Sequence, residues 1–396
     1  MEKYALISTI VLGLVLAFGL GFLANRLRLS PIVGFLLAGV MVGPYTPGFV
    51  GDSSLSLQLA EIGVILLMFG VGLKFSIEDL WSVRRVAVPG AIVQMAAATG
   101  LGFAFGWFMG FSPTESLILG VSLSVASTVV LLRALEARDL LKSENGRICG
   151  GWLIVEDVAI VLAMVLLPVA LQPAGSGEGL AAIVETLVKI AAFIALMLIV
   201  GVRVFPWFVI QVAHTRSREL MSLGTIALAL GVAYAAYMLF DASFALGAFL
   251  AGVTLNGSKF TQKVAEDSQP LRDTFAVLFF VAVGMLFDPM TLVRQPAAVA
   301  AVLAIIVLGK GLAALAITAA FGLKMRTGLM IAVALAQIGE FSFVLAGLGR
   351  QLGAMSDETY NLILAGALLS IAINPILFSL IERMMPPEAP EPAPSV

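Results

Sequence analysis

Glu156 and Asp157 stand side by side within an apolar run from Ile148 to Leu167. A charge at the centre of a bilayer costs about 2.5–3.5 kcal/mol even on the gentlest insertion scale, so ionisable groups at that depth mark function. The chemistry on offer is competition: an ionised carboxylate holds a cation, and a protonated one does not. A site that takes a proton or a monovalent cation, never both, couples two opposite fluxes without a further device. Asp157 is the group expected to alternate. Adjacent helix residues point about 100° apart, so one of the two acids faces an ion path and the other faces a neighbour. Lys310, between Gly309 and Gly311 in another apolar run, is the expected partner of the second acid, since a buried pair costs less than either charge alone.

Two more stretches put polar groups at membrane depth. SLSVAST at 122–128 is dense in hydroxyls, and AQIGEFS at 336–342 brings an amide, a glycine and an acid. Each interrupts an apolar segment near its middle. A broken helix exposes free N–H and carbonyl ends, which are tolerated at that depth only where they line a cavity or are buried in protein. Carbonyl ends and hydroxyls suit a dehydrated monovalent cation. Ser124, Ser127 and Thr128 are therefore candidate ligands beside Asp157 and Glu156, with potassium or sodium at Asp157. Gln337, Gly339, Glu340 and Lys310 are expected to support the break and its charges. The plainer reading of the hydroxyls is that they bond back to their own helices, and of Glu340 that it steadies a helix end. Cys149 reads as a small apolar filler, His214 as a loop residue, and Asn374-Pro375 as a possible cap on a helix break.

The elements that must position these groups follow from composition. Of 396 residues, 60% are hydrophobic and 12% charged, against about 25% charged in soluble domains. Such a chain reads as an all-α, polytopic membrane protein. A net charge of −2 gives no footing for nucleic acid, and one cysteine with one histidine gives none for a Cys or His metal centre, a disulfide framework or a Ser-His-Asp triad. No cofactor is expected. Thirteen apolar segments are delimited at 4–25, 31–43, 57–73, 86–110, 114–132, 147–171, 181–206, 219–240, 243–256, 271–287, 296–322, 326–349 and 358–381. The second and ninth are short for a span of about 20 residues. The first is too long for a signal-peptide core and is read as a span that stays.

Eighteen Lys and Arg residues fall in loops after odd-numbered segments and four on the other side. That asymmetry sets the N-terminus outside and the C-terminus in the cytoplasm. Segments 1–6 (4–171) and 8–13 (219–381) form two blocks that enter from opposite faces, with 181–206 as a linker helix between them. This is an inverted-repeat plan with its broken helices, segments five and twelve, at equivalent places. GFLLAGV at 34–40 and GAFLAGV at 247–253 echo each other at the short second segment of each block. Residues 1–381 are read as one transmembrane domain, and the Pro-rich 382–396 as a tail or linker.

Several pieces, in this order, resemble the monovalent cation:proton antiporter-2 family, specifically its Kef-like and YbaL-like potassium/proton branch. They are GFLLAGVMVGP at 34–44, EIGVILLMF at 61–69, STVV at 127–130 followed by RDLL at 138–141, LGAFLAG at 246–252, FFVAVGM at 279–285 and QIGEF at 337–341. The resemblance runs from about Pro31 to Ile381. It implies a sodium/proton-antiporter-like fold with two crossed broken helices, a homodimer with a dimerisation domain and a moving core, and a bacterial inner-membrane location. It also implies an ion-binding Asp, which maps to Asp157. The Kef pattern has Gln before that Asp where this chain has Glu156. Related electrogenic sodium antiporters have paired Asp residues and a membrane Lys that Lys310 matches. Kef-like proteins carry a nucleotide-binding regulatory domain after the membrane part, and no Gly-rich dinucleotide motif lies within residues 1–396.

The expected function is exchange of a monovalent cation, potassium first, for protons by alternating access. A Kef-type cation channel or uniporter and an electrogenic sodium/proton antiporter are the alternatives within transport. An intramembrane aspartyl protease needs two acids on neighbouring helices, usually with a Gly-x-Gly-Asp loop, and the sequence has no such motif. A transporter rather than an enzyme is expected.

Overall fold

The computed structural model describes residues 5–27, 29–47, 51, 53–74, 77–136, 138, 140, 143–171, 177–240, 242–256 and 261–385. The described residues form helices joined by short turns. In chain order these are α1 (Ala5–Arg26), α2 (Pro31–Val42), α3 (Ser53–Lys74), α4 (Ile77–Phe108), α5 (Pro113–Ser124), α6 (Thr128–Glu136), α7 (Glu144–Ala170), α8 (Gly177–Leu196) and α9 (Val202–His214). They continue as α10 (Arg218–Phe240), α11 (Phe244–Leu255), α12 (Thr261–Met285), α13 (Thr291–Arg294), α14 (Pro296–Ala304), α15 (Lys310–Ala320), α16 (Met325–Leu335), α17 (Glu340–Gln351) and α18 (Asp357–Met384). π-helical turns at Met197–Gly201 and Ile305–Gly309 join α8 to α9 and α14 to α15.

The starts are written locally. Ser30, Ser112, Ser243 and Ser356 each cap a helix by accepting a backbone N–H, and Pro31 and Pro113 follow two of them in the first turn, where a missing N–H costs nothing. Eight helical stretches among the described residues are long and apolar enough to cross a membrane, and three apolar ones are shorter: Pro31–Val42, Gln58–Leu73 and Phe244–Leu255. That measure does not reach thirteen crossings. Part of the reason is length: α2 and α11 have 12 residues each, about 18 Å at 1.5 Å per residue, against a hydrocarbon core of about 30 Å. The segment 114–132 is split into the short helices α5 and α6, and α12 is polar in its first half. Several boundaries also differ from the apolar runs, and the linker helix expected to end at 206 runs on through α9 to His214. α4 starts at Ile77 rather than 86, and α12 at Thr261 rather than 271, because polar helix-forming residues prolong the helices beyond their apolar parts. α18 likewise runs on to Met384, so Glu382 and Arg383 belong to it; the chain beyond residue 385 lies outside the described residues.

The helices sort into two bundles. α1–α3 and α8–α12 pack together, as do α4–α7 and α13–α18, with sparse contact between the sets. Each bundle draws on both halves of the chain, and the contacts recur in pairs. α1 on α2 matches α10 on α11, α2 on α12 matches α11 on α3, and α4 on α5 matches α15 on α16. The echoed sequence explains one such pair. A methyl at Gly39 would lie 2.8 Å from Gly284 Cα, and one at Gly252 would lie 2.8 Å from Gly72 Cα. The repeated Leu-Ala-Gly-Val string is thus a close helix crossing made twice, with small residues letting backbones touch.

Candidate ion-exchange site

The second bundle holds both interrupted segments. α5 stops at Ser124 and α6 starts at Thr128; α16 stops at Leu335 and α17 starts at Glu340. The two breaks meet. The Gln337 side chain bridges them: its Oε1 accepts from Ser127 N at 3.0 Å, and its Nε2 donates to Ser127 O at 3.1 Å. Ser127 Oγ donates to Glu340 Oε2 at 2.9 Å and accepts from Val130 N at 3.2 Å, which caps α6. Gly339 makes the approach possible, since a methyl there would lie 2.5 Å from Ser127 Cα.

Each break leaves helix ends to be satisfied without water, and α-helix termini carry partial charges of opposite sign. At the first break Glu156 Oε2 accepts from Ala126 N at 2.7 Å, placing an acid at the N-terminal end of α6. At the second break Lys310 Nζ donates to Gln337 O at 2.9 Å, placing a base beyond the C-terminal end of α16. Asn374 Nδ2 donates to Val333 O at 2.7 Å within the last turn of α16. The π-helical turn Ile305–Gly309 immediately precedes Lys310 and resets the direction in which α15 presents it.

Glu156 Oε1 is buried without a partner, and so is one oxygen of Asp157, which differs in meeting a hydroxyl rather than a backbone N–H. Asp157 Oδ2 accepts from Thr128 Oγ1 at 3.3 Å, and its Oδ1 is the atom without a partner. Among the described residues, no hydrogen bond reaches the carbonyls of Val125 and Ala126 in the adjoining break. A carboxylate oxygen, a hydroxyl and free carbonyls are the hard oxygen donors that replace the hydration shell of an alkali cation. Glu156 and Lys310 are 0% exposed, Glu340 3% and Asp157 4%, so all four ionisable groups are held inside protein.

The expected residues therefore divide. Ser127, Gln337, Gly339 and Glu340 form one crossing; Asp157 and Thr128 form a pair; Glu156 and Lys310 take one helix end each. Ser124 does not join them: its hydroxyl donates to Val121 O at 2.7 Å, back along its own helix. Lys310 makes no direct ion pair with a carboxylate among the described residues, contrary to the expected pairing. Its ammonium serves the Gln337 carbonyl, while Glu156 acts on it only through space. The helix end, with its concentrated carbonyl charge, supplies the partner that a carboxylate was expected to supply. Gln94 was missed: it is a wholly buried amide whose Nε2 donates to Ser124 O at 3.2 Å. Its signal was available, as a lone amide within the apolar run 86–110. Cys149 is buried in an apolar cluster, as a filler would be, and His214 ends α9.

Residues 12–382 match the family described as sodium/hydrogen exchanger, transmembrane. The chain belongs to the sodium/hydrogen exchanger family. It is 56% identical over 385 residues to the putative cation/proton antiporter YbaL of Escherichia coli (strain K12), covering 96% of this chain and 69% of that protein. It is 31% identical over 365 residues to the glutathione-regulated potassium-efflux system protein KefC of Salmonella heidelberg (strain SL476), covering 91% of this chain and 58% of that one. Among solved structures, the sodium proton antiporter MjNhaP1 of Methanocaldococcus jannaschii at pH 8 superposes with a TM-score of 0.74 at 16% identity, covering 96% and 98% of the two chains. This exchanger chain thus shares the fold of that antiporter and has its sequence relatives among cation/proton and potassium-efflux antiporters. The resemblance read from the sequence motifs holds.

Proposed function

We propose that this exchanger moves a monovalent cation, potassium first, against protons, with Asp157 alternately protonated and cation-bound. The observation that carries the reading is the unpartnered Oδ1 of Asp157, buried beside a break in a helix. Of the acids at the crossing, Glu340 is tied to Ser127. Glu156 also has an unpartnered oxygen, but its other one is held by the backbone N–H of Ala126, whereas Asp157 is held only by the Thr128 hydroxyl, itself an ion ligand by chemistry. Asp157 is therefore taken as the exchanging acid. Thr128 and the break carbonyls complete the donor set. Glu156 and Lys310 supply fixed charge at the helix ends. The potassium preference rests on the kinship to KefC; sodium is the alternative cargo, in keeping with the kinship to MjNhaP1.

A cavity of about 380 Å³ between the two bundles supports alternating access. It is lined by Glu61 of α3, Phe244 of α11 and Phe279 of α12 on one side, and by Met164 of α7, Phe343 of α17 and Tyr360 of α18 on the other. Met164 stands about two turns of α7 beyond Asp157. The cavity lies at the ends of α7 and α17 that the Lys/Arg bias assigns to the outside. The Gln337–Ser127 bridge ties the two breaks together, which favours exchange over a channel. The remainder of the reading is a catalyst-free transporter with thirteen crossings and two inverted blocks. It is a homodimer in a bacterial inner membrane, N-terminus outside and C-terminus cytoplasmic.

The test is exchange in sealed vesicles followed by a pH-sensitive dye, with potassium, sodium and lithium across pH. Cation-driven proton movement that vanishes in Asp157→Asn, with folded protein retained, is the expected result. Cation flux without linked proton flux would establish the channel instead.

A further inference from the structure

Gln94 of α4 and Trp152 of α7 lie outside the ion-coordinating set, yet they reach it. Both are 0% exposed. Trp152 Nε1 donates to Gln94 Oε1 at 3.2 Å, and Gln94 Nε2 donates to Ser124 O at 3.2 Å, at the C-terminal end of α5. A buried indole N–H normally finds a partner, and here the partner is the group that closes the helix end. The indole ring sits over Gly90, one turn before Gln94, where a methyl would lie 2.4 Å from the ring. Trp152 and Glu156 are four residues apart, and therefore on one face of α7. That face grips the first break at two points: through Gln94 to the carbonyl of Ser124, and through Glu156 to the N–H of Ala126. Between those points lies Val125, and beyond them the Thr128 hydroxyl that meets Asp157.

We propose that Gln94, oriented by Trp152, is a positioning residue that sets the 125–127 turn and hence the geometry with which Asp157 and its neighbours meet the cation. The inference rests on Asp157 as the exchange site. A side chain with no hydrogen-bonding group in place of Gln94 frees the Ser124 carbonyl and lets the turn relax while α4 and α7 stay packed.

The full chain, purified and reconstituted in vesicles, is assayed with potassium and with sodium for apparent cation KM, maximal rate and pH profile. Gln94→Leu is expected to raise the KM about tenfold, the value of one buried hydrogen bond, with a displaced pH profile. Trp152→Phe keeps the ring and loses the N–H, and is expected to raise KM about threefold by loosening Gln94. Added to Gln94→Leu, it should cost nothing more, because coupled residues are not additive. Thermal unfolding with and without cation gives a second readout, in which the cation-dependent shift shrinks in both variants. Should Gln94→Leu fail to fold, Trp152→Phe still tests the chain of contacts. An unchanged KM and pH profile in the folded variants, with Asp157→Asn inactive, would overturn the positioning role alone. Retained exchange in Asp157→Asn would remove the site on which the role depends. Equal effects of Trp152→Phe in both backgrounds would show that Trp152 does not act through Gln94.

Discussion

The two breaks solve the same problem with opposite chemistry. At the first, an acid answers the exposed N–H of Ala126, an amide answers the carbonyl of Ser124, and the free oxygen of Asp157 lies nearby. At the second, a base answers the carbonyl of Gln337 and an amide answers that of Val333. The Gln337 side chain then holds one break to the other. The first break carries two acids with unpartnered oxygens, and the second carries a base and an amide that donate to backbone carbonyls. Equivalent positions in two blocks have thus diverged: α7 carries Glu156 and Asp157 where α18 carries Asn374, which is neutral. On the proposed function, the first break is the one that exchanges the ion and the second is its support.

Substitutions can break that asymmetry in order of size. Asp157→Asn should reduce exchange by at least about a hundredfold, since no other acid at the crossing has both a free oxygen and a hydroxyl beside it; transition-state arithmetic places this at about 3 kcal/mol. Dye-reported exchange in vesicles measures it. Lys310→Met attacks the other break. It leaves the Gln337 carbonyl buried without its donor and should lower stability by about 1–3 kcal/mol; thermal unfolding of the purified protein reads the loss, and an unchanged melting temperature would mean that the second break does not depend on its base. Glu156→Gln sharpens the distinction between the acids. Its amide oxygen can still accept from Ala126, so stability should change by less than about 1 kcal/mol. Current per transported cation should stay as in the parent, whereas a fall would give Glu156 a proton of its own. Asn374→Ala is expected to be smallest, about 1 kcal/mol from one hydrogen bond at the end of α16. It should leave the cation KM unaltered, which separates the supporting break from the exchanging one.

Much of this was open to reading. The apolar segments located the helices, because a chain in lipid must satisfy its backbone within each helix. The hydroxyl-rich and Gln-Ile-Gly-Glu interruptions located the breaks, and the family resemblance implied that the two broken helices cross. The echo at 34–40 and 247–253 marked the repeat, and the structure shows it to be a close helix crossing made twice. Less was open in the roles. Ser124 and Ser127 look alike in the string SVAS, yet one bonds backwards and the other caps α6 and holds Glu340. Gln94 and Trp152 stand in the sequence as a lone amide and a lone indole in apolar runs, and only the structure joins them to each other and to Ser124. The span count suffered where helices are short or interrupted, since hydropathy measures runs and not crossings.

The sequence by itself determined an all-helical membrane chain, the sites of its two interruptions and the acid at its centre. Composition, periodicity and the cost of charge in lipid are properties of local runs of residues. Only the tertiary structure decided which buried group answers which helix end. Lys310 donates to a carbonyl while Glu156 acts on it through space, and of the two acids that each keep one oxygen unpartnered, Glu156 is tied to a backbone N–H and Asp157 to a hydroxyl. Those outcomes depend on distances of a few ångströms within a crossing whose two breaks are joined by contacts 213 residues apart, as between Ser127 and Glu340, and hydrogen bonding falls off too steeply with distance and angle for spacing along the chain to fix it.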